Sequence, residues 1–291
     1  MILITGCIGY IGSRLCRHLL MHGYKVRGLI RPSEREKAKS LIDLGLSPYY
    51  GDLADPFSLH EIADDIDLVY HLAGIHSTYS NTYNLYVEGT INLLQSFSSN
   101  SRAAVVLASN SAVYADIYKP HLEDTNLKTN NPFGKITIEM EKAVMKLCEK
   151  YAIFRIGEVY GDNEANPFNF CSNGITLIGD GMNYTSKLHI KDLINILGKC
   201  NNSFPQGIFN ICDDLPIRQI EFYHYVEELS NTKFIYLKPD MELNERIMLS
   251  IHGLRAINIS MDNSLIKKIL NYEFVFPTYK DGLRYLYENQ C

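Results

Sequence analysis

Glycines at positions 6, 9 and 12 constrain this chain more than any other feature. They directly follow the apolar run Ile2-Leu3-Ile4 and precede a helix expected over Ser13 to His22. Strand, tight turn and helix N-terminus in that order turn a glycine pattern into a phosphate cradle. Gly6 takes the backbone shape of the turn, Gly9 lets the main chain approach a pyrophosphate, and Gly12 lets helix and strand pack closely. The first helical turn adds unpaired N–H groups and the positive end of a dipole, so the expected ligand is a dinucleotide phosphate.

Strand and helix patterns then alternate. Strands are expected at Tyr24–Ile30, Ser47–Tyr50, Asp67–Leu72, Ala103–Ala108 and Ala152–Ile156. Helices are expected over 34–44, 56–64, 81–98 and 132–150. Strands separated by helices predict an α/β protein with a Rossmann-like, doubly wound parallel sheet covered on both faces. Beyond about residue 160 the rhythm loosens, with turn chemistry at Asn166-Pro167, Gly179-Asp180-Gly181 and Asp213–Pro216. The expected organisation is a dinucleotide-binding domain over 1–160 and a smaller C-terminal substrate lobe over 161–291. The two are interwoven into one body, with the ligand at their junction.

Of 291 residues, 46% are hydrophobic and 21% charged, which is the profile of a globular domain with a substantial core. A net charge of −5 argues against a nucleic-acid-binding surface. No apolar run is long enough to span a bilayer, and the first strand begins too close to Met1 to leave room for a cleaved targeting segment. Seven cysteines without C-x-x-C spacing predict reduced thiols, a cytoplasmic location and no metal site. Cys7, inside the glycine loop, reads as buried filler.

Ordered motifs along nearly the whole chain resemble the extended short-chain dehydrogenase/reductase family, the NAD(P)-dependent epimerase/dehydratase type. They include Thr5 to Ser13, Gly51-Asp52-Leu53 with Asp55, Val69 to Gly74 and Glu88 to Leu94. Val113-Tyr114, Arg155 with Val159-Tyr160-Gly161, and Leu188-His189-Ile190-Lys191-Asp192 continue the match. The resemblance implies cofactor contacts from Gly6, Ile8, Gly9, Tyr10, Ile11, Gly12, Asp52 (beside the adenine), Leu53, Leu72, Ala73, Gly74 and Ala108. It also implies a homodimer through helices 81–98 and 132–150.

An acidic residue at the end of the second strand would grip the ribose hydroxyls of NAD. Ile30 holds that place and Arg31 follows, and a guanidinium suits a 2′-phosphate. The expected cofactor is therefore NADP, preferred over NAD.

Members of the family work through a Ser/Thr and a Tyr-x-x-x-Lys, whose phenol exchanges a proton while hydride moves and whose lysine lowers the phenol pKa. In Asn131-Pro132-Phe133-Gly134 the register puts Phe133 at the tyrosine position and Thr137 at the lysine position. Asn110 stands at the Ser/Thr position. None of the 20 tyrosines is followed four residues later by lysine, so the pair has not shifted elsewhere. Ser109, Ser111, His76 and Glu158 are weak substitutes, with Lys135 on a different helix face. Tyr79, Tyr83 and Tyr114 are further polar candidates, whereas His71 and His189 read as core residues.

Tyr86 replaces the family's asparagine before Val-x-Gly-Thr, and Thr185 replaces an arginine that contacts the nucleotide in many relatives. Glu158 would repel a substrate diphosphate. Three functions follow as expectations. The first is an impaired or non-catalytic NADP(H)-binding protein, a sensor or partner subunit. The second is an epimerase, dehydratase or reductase on a sugar-like or other small substrate that uses other acid–base groups. The third is non-redox chemistry, such as a lyase or isomerase, in the same pocket.

Overall fold

Three apolar residues and a threonine, Ile2–Thr5, form a fully buried strand (β1), and burial on both faces is what a central parallel strand requires. In the computed structural model, which describes residues 1–74, 82–97, 102–114, 119–170, 175–176, 180–237 and 257–289, β1 is flanked by two parallel neighbours. These are β2 (Val26–Ile30) and β4 (Leu68–His71). With β3 (Ser47–Tyr50), β5 (Ala104–Asn110), β6 (Tyr151–Ile156) and the strand Gly207–Ile211 they make one seven-stranded sheet. Its order is Gly207–Ile211, β6, β5, β4, β1, β2, β3. The α/β, Rossmann-like architecture expected from the alternation is the one observed. Parallel pairing brings the carboxyl ends of β1, β2, β3 and β4 to one edge, where the residues after each strand gather.

Two compact units interleave along the chain. One comprises residues 1–109, 136–154 and 194–208, and the other 110–135, 155–193 and 209–291. The first is cored by strand residues such as Leu3, Ile4, Val69, Val105 and Ile153. The second has its own apolar cluster, built on Tyr160, Phe222, Val226, Tyr279 and Leu283.

Three expected helices differ from the structure. Residues 56–64 form only a 3-10 turn, Pro56–Leu59, because Glu61 and Asp65 adopt left-handed φ values of 63° and 59° that no helix accommodates. Residues 34–44 start as two 3-10 turns, Pro32–Glu34 and Glu36–Ala38, before a short α-helix, Lys39–Asp43. Within 81–98, a π-helical turn, Asn84–Glu88, leads into the helix Gly89–Gln95. By contrast the helix Pro132–Leu147 runs almost as long as expected. Among the described residues no helix is long and apolar enough to cross a membrane. Cys7, Cys16, Cys148, Cys200 and Cys212 are free thiols, and no metal-binding group of side chains occurs among the described residues.

Candidate functional site

Close packing dictates the shape of the glycine loop. Gly6 turns the chain at φ +66°, and a Cβ there would lie 2.8 Å from Leu72 O. A Cβ on Gly12 would lie 2.1 Å from Gly6 O, and one on Gly9 would lie 3.3 Å from the same oxygen. Backbone cannot move aside as a side chain can, so positions 6 and 12 admit only glycine without rebuilding the turn. Helix α1 (Tyr10–Met21) begins directly after Gly9, which is exposed and provides no side-chain cap, and its first turn holds no acidic residue. The first N–H groups of a helix have no intrahelical acceptor. The helix gives them neither a side-chain cap nor an acidic residue of its own first turn, which fits the pyrophosphate of a dinucleotide. Cys7 faces the interior, with its Sγ donating to Leu29 O at 3.3 Å, and burial pushes its pKa up to about 12. It is packing, as expected.

The end of β4 forms the next wall. Thr90 Oγ1 donates to Tyr86 O, so it accepts from His71 Nε2 at 2.8 Å. His71 Nδ1 then accepts from Thr5 Oγ1 at 2.7 Å, and Thr5 Oγ1 accepts from Ala73 N at 3.2 Å. This chain fixes the tautomer of His71, and burial lowers its pKa to about 4, so the ring is a neutral core residue. The network pins the Leu72-Ala73-Gly74 segment against Gly6. Just beyond it, the Tyr86 hydroxyl lies 2.8 Å from where a Cβ on Gly74 would stand. The π-helical turn carries Tyr86, and such insertions recur at functional sites. The sequence marked Tyr86 only as a departure from the family pattern; its contact with Gly74 depends on that insertion.

After β3, Asp52 is held by its own turn: its N–H donates to Ser58 Oγ at 2.9 Å and its Oδ1 accepts from Ala54 N at 3.0 Å. Leu53 is buried, and its carbonyl accepts from Asn92 Nδ2 at 2.8 Å. Ile8, Tyr10, Ile11 and Ala108 are half-buried on the loop, on α1 and on β5. Arg31 precedes a 3-10 turn that Pro32 initiates. Its Nε donates to Glu34 Oε2 at 2.8 Å, while Lys37 Nζ donates to Glu34 Oε1 at 3.1 Å. The carboxylate missing from the strand end therefore enters from one turn later.

The positions expected to do proton chemistry hold different groups. Asn110 Oδ1 accepts from Ala112 N at 2.9 Å, capping the 3-10 turn Ser111–Val113. Phe133 and Thr137 are buried, one helical turn apart, while Lys135 is exposed. The fit at this helix start is tight: a Cβ on Gly134 would lie 2.1 Å from Ala112 O. Ser109, which alternates to the opposite side of β5 from Asn110, donates to the buried Glu141 carboxylate, so its hydroxyl proton is engaged. Ser111 is half-buried, and His76 and Tyr79 lie outside the described residues. Tyr83 is exposed. Tyr114 donates to Asn210 Oδ1 at 2.6 Å and accepts from Arg155 Nη1 at 3.1 Å, and burial pushes its pKa up to about 12.

Glu158 is not the lone repelling charge that the sequence suggested. The register of the strands Glu158–Tyr160 and Lys187–His189 sets Glu158 opposite Lys187. Lys187 Nζ, 1% exposed, donates to Glu158 Oε2 at 2.5 Å, and Thr185 Oγ1 donates to the same oxygen at 3.3 Å. Both donors hold the carboxylate within the strand pair. His189 is buried, and desolvation lowers its pKa to about 4, as suits a packing residue.

Known proteins share both the sequence profile and the fold. The profile of the NAD dependent epimerase/dehydratase family matches residues 2–212. UDP-glucose 4-epimerase of Lactobacillus helveticus is 28% identical over 279 residues, covering 89% of this chain and 79% of that protein. A Bacillus subtilis (strain 168) protein described as an uncharacterized UDP-glucose epimerase is 27% identical over 233 residues, covering 68% and 72%. Among solved structures, UDP-glucuronic acid 4-epimerase from Bacillus cereus, in complex with UDP-glucuronic acid and NAD, superposes with a TM-score of 0.80. That pair is 22% identical and covers 99% of this chain and 98% of the other. The dTDP-glucose 4,6-dehydratase of Bacillus anthracis str. Ames, in complex with NAD, gives a TM-score of 0.79 at 18% identity, covering 99% and 95%. By its sequence profile, the chain belongs to the NAD dependent epimerase/dehydratase family.

Proposed function

We propose that this protein binds a pyridine dinucleotide in the Gly6–Gly12 cradle and acts as an epimerase, dehydratase or reductase on a sugar-like substrate, with acid–base groups other than Tyr-x-x-x-Lys. The observation that carries the reading is the cradle: glycine-only packing, uncapped N–H groups and no acid in the first turn. The sugar-nucleotide epimerases and dehydratases among its relatives support the substrate class. A bound dinucleotide supplies the acceptance and return of hydride at the substrate carbon. The chain's own task is to position it and to move a proton at the neighbouring oxygen. Tyr86 brings a phenol hydroxyl to Gly74, at the rim of the cradle, and a phenol can donate and recover that proton. Arg31 is the residue that would carry a preference for NADP. The free thiols support a cytosolic location, and the homodimer belongs to the same reading.

The test is a panel of nucleotide sugars offered to the protein loaded with dinucleotide, followed by nicotinamide absorbance and product analysis. Turnover lost in Tyr86→Phe, with dinucleotide affinity kept, supports the reading. Turnover unaffected by that change excludes Tyr86.

A second reading, a dinucleotide-binding sensor or partner subunit without turnover, is favoured by one observation. Phe133 and Thr137, which the sequence register aligns with the family's phenol and lysine, are both buried, and neither side chain titrates at any useful pH. No turnover across the panel, with dinucleotide binding intact, selects this reading.

A further inference from the structure

We propose that Glu34 sets the choice between NADP and NAD by holding the Arg31 guanidinium in an ion pair. The inference rests on the cofactor reading of the cradle. Its basis is a set of contacts at the carboxyl edge of β2. Arg31 follows the last residue of β2, and Arg31 O accepts from Glu34 N at 2.8 Å, closing a turn that folds Glu34 back over it. The two side chains then meet at 2.8 Å, with Arg31 half-exposed and Glu34 mostly shielded. Lys37 approaches the second carboxylate oxygen at 3.1 Å. Arg31 and Lys37 together keep the carboxylate ionised, and the hydrogen bond from Arg31 contributes most to that. Arg35, a further cation of the segment, lies over the Tyr50 ring at 4.1 Å. The field of Glu34 reaches as far as Cys7 in the glycine loop.

A 2′-phosphate arriving at Arg31 must share the guanidinium with a carboxylate already bonded to it, and it carries up to two negative charges of its own. The uncharged ribose hydroxyls of NAD meet no such repulsion. Coulomb repulsion between anions sharing one cation subtracts from the attraction of Arg31 for the phosphate, without cancelling it. Arg31 therefore admits NADP, and Glu34 holds down the advantage it confers. This device answers the missing acid at the strand end: the carboxylate acts on the arginine.

The test is calorimetric titration of the full chain with NAD and with NADP in wild type, Glu34→Gln, Glu34→Ala and Arg31→Gln. Glutamine keeps an acceptor for Arg31 and removes only the charge, and the exposed turn tolerates it. The ratio of NADP to NAD affinity is expected to rise about five- to tenfold in both Glu34 variants, the scale of one half-exposed charge. It is expected to fall in Arg31→Gln, and the Glu34 gain is expected to shrink at high salt. A ratio that stays constant or falls in the Glu34 variants, in a protein that binds both dinucleotides, overturns this inference and leaves the cofactor reading standing. Binding of neither dinucleotide by wild type overturns both.

Discussion

Two helix starts in this chain are packed to the same tolerance and carry opposite chemistry. At the head of α1, a Cβ on Gly12 would meet backbone oxygen at 2.1 Å, and at the head of the helix Pro132–Leu147 one on Gly134 would meet another at the same distance. The first start has no side-chain cap and no acidic residue in its first turn. The second carries Phe133 and Thr137, an apolar ring and an uncharged hydroxyl, both of them buried. A backbone scaffold can thus stay fixed while the side chains it presents change. Cradle geometry follows from sterics and needs no particular side chain, whereas proton transfer depends wholly on side-chain identity.

The comparison breaks most visibly at the cradle. Gly12→Ala is expected to weaken dinucleotide binding about 100-fold or more, because the oxygen it meets belongs to the turn itself. Gly9→Ala, with a Cβ contact of 3.3 Å, should cost far less. Titration calorimetry of both, with circular dichroism to confirm folding, checks the ranking. Equal losses would mean that the loop is not held by that packing.

On the side of proton chemistry, Tyr86→Phe is expected to lower turnover by about 10²–10⁴, the usual contribution of a placed acid–base group, with affinity for dinucleotide unchanged. Restoring Asn110→Ser, Phe133→Tyr and Thr137→Lys together tests the helix start from the other direction. The variant should gain turnover on nucleotide sugars only if the neighbouring pocket still fits them.

The strand, glycine turn and helix of residues 2–21 are legible in the sequence, and the reasons are local. A strand of three apolar residues and a threonine, glycines three apart and an amphipathic helix are all set within residues 2–21, and Ser47–Tyr50 likewise forms where its pattern places it. What escaped depends on contacts that no short window contains. Glu158 pairs with Lys187 only through the register of two strands 29 residues apart. The Tyr86 hydroxyl reaches Gly74 through a π-helical turn that breaks the 3.6-residue period. Residues 56–64 carry helical spacing, but left-handed backbone at Glu61 and Asp65 overrides it. Arg31 was visible, whereas its capture by Glu34 required the turn that Pro32 starts.

A smaller effect sharpens the wall behind the cradle. His71 and His189 both have folded pKa values near 4, below the unfolded 6.5, with desolvation as the main cause. The unfolded chain therefore binds protons first as pH falls. Stability is complete above about pH 6.5 and declines toward pH 4, by roughly 1.4 kcal/mol per pH unit for each histidine. Urea unfolding from pH 7 to 4 measures the slope, and His71→Gln should make it shallower. An unchanged slope would show that His71 is not held neutral. The smallest effect is expected at the surface. Lys37 is 70% exposed, so Lys37→Ala should change stability by less than about 0.5 kcal/mol in the same assay.

The most direct test is a titration of the purified wild-type chain and its Gly12→Ala variant with NAD and NADP. Saturable binding of at least one dinucleotide by wild type, lost in the variant, is the predicted result. A folded wild-type protein that takes up neither, or a variant that binds as well as wild type, would contradict the assignment of the Gly6–Gly12 loop as the cofactor site.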